Sequence, residues 1–143
     1  MWFSEAAANR IGSITLDGKV TEYPIPGPES QPRAMAPHPD GSIWFVETSA
    51  NALGRIDERG RITRHPVKTP NASLRSVCVA PDGDLWFTAN MANQIGQMTP
   101  SGELVGEYPI PMANAGARCI CAWPDGRLFF TAFDAGYIGE VIP

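Results

Sequence analysis

QPRAMAPHPDGSIWFVETSANALGRI, Gln31 to Ile56, decides the fold, because it returns as LRSVCVAPDGDLWFTANMANQIGQM from Leu74 to Met98. Within the first copy, Ser42–Glu47 is rich in β-branched and aromatic residues, as a strand buried on both faces is. Asp40-Gly41 before it supplies a tight hairpin turn. Residues 52–57 form a second strand, Arg59-Gly60 a second turn and residues 61–65 a third strand. Residues 34–37 add a fourth strand ahead of the Asp-Gly turn. No helical periodicity is evident.

Working outward, Trp2-Phe3, Trp44-Phe45, Trp86-Phe87 and Phe129-Phe130 recur at intervals of 42, 42 and 43 residues. Ile11-Gly12, Leu53-Gly54, Ile95-Gly96 and Ile138-Gly139 each follow nine residues later, and Pro-Asp-Gly recurs at 39–41, 81–83 and 124–126. EYPIP occupies 22–26 and 107–111, with RHPVK at 64–68 in the matching place. Prolines at these boundaries end the outer strands.

Four antiparallel strands in a unit of about 42 residues are the signature of a β-propeller blade, so the predicted fold is all-β. With strands named A to D from the axis outward, the single domain 1–143 divides into units 1–31, 32–73, 74–116 and 117–143. These read B-C-D, two complete blades, and A-B-C, or about 3.4 blades. Trp44, Trp86 and Phe129 lie one strand out from the axis and fill the space between blades. Ala36, Cys78 and Cys121 share one inner-strand position, where small side chains are needed. An open arc leaves two apolar blade faces in water, so a homodimer closing the ring is expected.

Composition narrows the function classes. Of the 143 residues 43% are hydrophobic and 18% charged, as in a folded domain, and the net charge of −4 disfavours nucleic acid. No apolar run approaches the roughly 20 residues of a membrane helix, so no membrane partner is expected. MWFSEAAANR lacks signal-peptide order, which points to a cytoplasmic location. The cysteines, Cys78, Cys119 and Cys121, have no zinc-type spacing and read as free thiols.

The units LWFTANMANQIGQMTPSGELVGEYPIP and MWFSEAAANRIGSITLDGKVTEYPIP resemble blades of the virginiamycin B lyase (streptogramin lyase) family, and the resemblance runs through all 143 residues. It implies a seven-bladed propeller that uses magnesium to open a cyclic depsipeptide by elimination at its ester. In the family pattern a Glu-Pro-His-Gly motif at the start of an inner strand supplies a metal carboxylate and the base. A second carboxylate follows the next WF pair. Here those positions read Gln31-Pro32-Arg33-Ala34, Ser73-Leu74-Arg75-Ser76 and Gly116-Ala117-Arg118-Cys119. Arginine stays protonated and cannot act as the base. Of the second carboxylates Glu5 and Glu47 remain as candidate metal ligands, while the later units carry Ala89 and Ala132.

These residues lead away from catalysis, and no catalytic residue is assigned. Arg33, Arg75 and Arg118 share the entrance of the inner strand, which faces the channel mouth. They are the expected ligand-binding residues, for a small anion recognised through guanidinium forks or for a partner. The alternatives are a magnesium-dependent lyase and a structural module in which each arginine ties blades together. His38, in a turn, and His65, on the outer strand, are poorly placed to act as bases.

Overall fold

The computed structural model describes residues 1–28 and 30–142. It contains four antiparallel meanders and no helix among those residues. The first sheet holds β1 (Trp2–Glu5), β2 (Arg10–Ile14) and β3 (Val20–Pro24). The second holds β4 (Pro32–Pro37), β5 (Ile43–Glu47), β6 (Ala52–Ile56) and β7 (Ile62–Pro66). The third holds β8 (Leu74–Val79), β9 (Leu85–Ala89), β10 (Gln94–Met98) and β11 (Leu104–Pro109). The last holds β12 (Ala117–Ala122), β13 (Leu128–Ala132) and β14 (Tyr137–Val141). The expected order of B-C-D, two full blades and A-B-C is what forms. The inner strands β4, β8 and β12 stand side by side.

Two devices, one within a blade and one between blades, explain the repeat. On one face a phenylalanine lies across a glycine of the neighbouring strand: Phe45 is the register partner of Gly54, and Phe87 of Gly96. A Cβ on Gly54 would meet the Phe45 ring at 2.2 Å and one on Gly96 the Phe87 ring at 2.0 Å, so the glycine is required by space. On the other face the tryptophan packs at a tilt against an outer-strand ring, Trp2 on Tyr23 at 5.5 Å and Trp44 on His65 at 5.1 Å. That ring then fills the hollow over a glycine in the next blade's outer turn, Gly60 for Tyr23 and Gly102 for His65. Cores form between successive sheets, one joining Trp44, Val46 and Leu53 to Leu85 and Phe87, the next joining Trp86 and Ile95 to Leu128 and Phe130.

A third device sets the connections. Asn9, Asn51 and Asn93 adopt left-handed φ of 56°, 55° and 55° in the B–C turn, a conformation asparagine tolerates. Each reaches across to the segment leading into the following blade. Asn51 Nδ2 donates to the Thr69 carbonyl at 2.8 Å, and its Oδ1 accepts from Ala72 N at 2.8 Å. These staples fix where each inner strand begins, and the arginines stand at those beginnings.

Candidate functional site: the channel mouth

Every inner strand is irregular at its arginine. Register with the neighbouring strand breaks between Pro32 and Met35, between Leu74 and Val77, and between Ala117 and Ile120. Arg33, Arg75 and Arg118 therefore sit in β-bulges, which redirect a side chain and interrupt the ladder. Hydroxyls take up the freed backbone groups. Thr88 Oγ1, fully buried, accepts from Ser76 N at 3.1 Å and donates to the Arg118 carbonyl of the next blade at 3.1 Å. Thr131 Oγ1 accepts from Cys119 N at 3.0 Å. Ser76 Oγ accepts from Ile120 N at 3.3 Å, so two adjacent bulges are bonded into one unit. Sequence reasoning passed over these hydroxyls, and the signal was the contrast of Thr88 and Thr131 with Val46, and of Ser76 with Ala34, at shared repeat positions.

Arg33 and Arg118 are exposed and Arg75 is half-buried. Among the described residues Arg33 and Arg75 form no ion pair. Arg118 lies 3.8 Å above the Phe133 ring and 3.7 Å from an Asp134 oxygen, too far for a direct hydrogen bond. Neither Phe133 nor Asp134 was singled out in the sequence, because their position depends on turn geometry.

The two glutamates stand elsewhere. Glu47 ends β5 and is completely buried, with Oε2 accepting from Arg64 Nε at 2.9 Å and Nη2 at 2.5 Å. Arg64 is on the outer strand and also donates to the Pro26 carbonyl at 3.1 Å, so this pair joins the first two blades. The arginine that reaches Glu47 is thus Arg64, while Arg33 leaves it alone. Among the described residues Oε1 of Glu47 and Oε1 of Glu5 are buried with no hydrogen-bond partner. A magnesium ion needs several oxygen ligands with near-octahedral geometry. Among the described residues no group of three or more His, Cys, Asp or Glu side chains is arranged to hold a metal. Gln31 stands where the family pattern has a carboxylate, so the donor set does not fit the ion.

The remaining candidates are structural in their contacts. His38 Nδ1 lies 2.8 Å from an Asp40 carboxylate oxygen, and its Nε2 faces the Gly83 carbonyl at 3.2 Å, which ties one turn to the next blade. Burial and the neighbouring Cys121 push the Cys78 thiol up to about 12, so it is inert. A cleft of about 530 Å³ lies at the opposite end of the second sheet between Asp40, Arg55, Asp57 and Arg61. Burial opposes ionisation of Asp40, but hydrogen bonds from Ser42, His38 and Arg55 outweigh it and hold the carboxyl below its usual range. Two ion pairs line the cleft, Arg55 to Asp40 at 3.0 Å and Arg61 to Asp57 at 3.7 Å.

Comparison with known proteins places this scaffold. The profile of the virginiamycin B lyase family matches residues 1–143. The chain belongs to the virginiamycin B lyase family. Crystalline virginiamycin B lyase from Staphylococcus aureus superposes with a TM-score of 0.96 at 39% identity, over 99% of this chain and 48% of that one. A streptogramin B lyase structure gives a TM-score of 0.89 at 32% identity, over 98% and 50%. The virginiamycin B lyase of Nocardia farcinica is 42% identical over 42 residues, one repeat, which is 29% of this chain and 15% of that protein. The chain therefore spans about half the length of the family's solved structures.

Proposed function

We propose that this member of the family is a non-catalytic propeller whose mouth holds a small anion between Arg33, Arg75 and Arg118. The observation that carries the reading is the absence of an ion pair at Arg33 and Arg75 among the described residues. Like charges at neighbouring strand entrances repel, and a bound anion relieves that repulsion while accepting charge-assisted hydrogen bonds. Two further facts support it. Arg33 occupies the place of the family's base, and the Glu47 carboxylate is committed to Arg64.

The test is thermal. Sulfate raises the melting temperature more than chloride at matched ionic strength, and the excess disappears when all three arginines are replaced by glutamine. A triple variant that responds to sulfate as the parent does overturns the reading.

The second reading, a magnesium-dependent lyase on a streptogramin B depsipeptide, is favoured by the family match along the whole chain. The first reading expects no linear product from a streptogramin B incubated with the protein and magnesium. Product that vanishes with Glu47→Gln establishes the lyase instead.

The proposal also has a second copy of the chain closing the ring. In support, Ile138 on the last sheet is 69% exposed, whereas Ile11 at the same repeat position is fully buried between blades. It shares an open face with Phe129, Thr131 and Cys121.

A further inference from the structure

The three corners of the mouth differ in a way that specifies the ligand further. At each corner the B–C turn closes on the segment leading into the inner strand. Ser49 N donates to the Ser30 carbonyl at 2.9 Å, Met91 N to Ala72 at 3.0 Å and Asp134 N to Ala115 at 3.2 Å. The residue before each of these is Thr48, Asn90 or Phe133. Thr48 Oγ1 donates to the Leu74 carbonyl at 2.7 Å and Asn90 Nδ2 to the Ala117 carbonyl at 3.1 Å, so both tie their corner to the next inner strand. Phe133 has no polar atom with which to do this. Its ring is 59% exposed and carries the Arg118 guanidinium. At the neighbouring corner Met91, whose backbone N–H closes the turn on Ala72, is 74% exposed.

A guanidinium lying flat on an aromatic face keeps its N–H edge directed outward, where a carboxylate is bound bidentately. Methionine is an adaptable contact for irregular apolar groups. We propose that the anion taken at this mouth carries an apolar body: Arg75 and Arg118 hold its carboxylate, Phe133 and Met91 receive an aryl or branched alkyl group, and Asp134 competes with it for Arg118. The inference rests on the anion reading above and narrows its ligand class. Asp134 is the internal competitor because its oxygen is the nearest carboxylate to Arg118 and lies at a distance that leaves the guanidinium edge free.

The experiment titrates the full chain with phenylacetate and with acetate at one ionic strength, following affinity by calorimetry and the arginine side-chain resonances by NMR. Phenylacetate binds about tenfold more tightly than acetate, as expected for burial of part of an aromatic ring. The double variant Phe133→Ser/Met91→Ser abolishes the preference for phenylacetate over acetate, so that the two ligands bind it equally. Asp134→Asn strengthens both ligands by up to about fivefold, the worth of one exposed ion pair. Equal affinity of the two ligands for the parent overturns this inference and leaves the anion reading standing. Weaker binding by Asp134→Asn likewise overturns it. If neither ligand moves the arginine resonances, both readings fall.

Discussion

Arg64→Met separates a structural Glu47 from a functional one. Glu47 is fully buried, and Arg64, with 31% of its side chain exposed, supplies the only hydrogen bonds to its carboxylate among the described residues. Removing one partner of a buried ion pair costs about 3–5 kcal/mol, since a charge remains in the interior without compensation. Partial exposure of Arg64 lets water approach, which places the expected loss near the lower end, about 3 kcal/mol. At roughly 3 °C per kcal/mol for a chain of this size, the melting temperature falls by about 10 °C. Glu47→Met/Arg64→Met recovers most of that loss, because the site opens toward Ile25 and Ile62 and accepts apolar side chains. Urea unfolding of the parent, both single variants and the double variant gives the coupling directly. A single variant within about 2 °C of the parent, or a double variant no better than Arg64→Met, refutes the reasoning.

Gly96→Ala drives a methyl group into the Phe87 ring and lowers stability by about 1–3 kcal/mol, and Phe87→Leu in the same chain recovers part of it; both are read from urea midpoints. Burial holds His65 below its ordinary 6.5, its hydrogen bond to the Gly102 backbone opposing this and Arg55 adding to it. A depressed histidine stabilises the fold fully above its unfolded value, and the contribution is lost as pH falls below 6.5 through the folded value. His65→Tyr, the residue of Tyr23 and Tyr108, flattens the melting temperature across that window, and an unchanged slope counts against burial of His65 as its cause. For ring closure, light scattering at micromolar protein gives twice the chain mass, while a folded monomer removes the second copy from the proposal.

The fold was legible because its signals are local and repeated. Trp-Phe, the glycine nine residues later and Pro-Asp-Gly each mark a strand or turn within one unit, and they place all fourteen strands. The site was legible only in part. Arg33, Arg75 and Arg118 stand out as a shared repeat position, but no periodicity announces the bulges that hold them. Glu47 and Arg64 are 17 residues apart and meet only through the register of three strands. Phe133 reads as an ordinary turn residue until the turn is folded back on Gly116, whose carbonyl accepts from Phe133 N at 3.2 Å. His65 looked idle because its partner glycine lies in another blade.

Thr88 gives the mouth an uneven stiffness. Its hydroxyl couples the bulge of Arg75 to that of Arg118, so a displacement of one backbone is transmitted to the other. Val46, at the same repeat position, offers no such coupling between Arg33 and Arg75. The Arg75–Arg118 pair thus carries a brace that the Arg33–Arg75 pair, joined through Thr48, does not have, and a single exchange of methyl for hydroxyl separates the two. A lineage that duplicates blades can in this way tune how tightly its mouth is braced, one hydroxyl at a time, while the propeller beneath stays as it was.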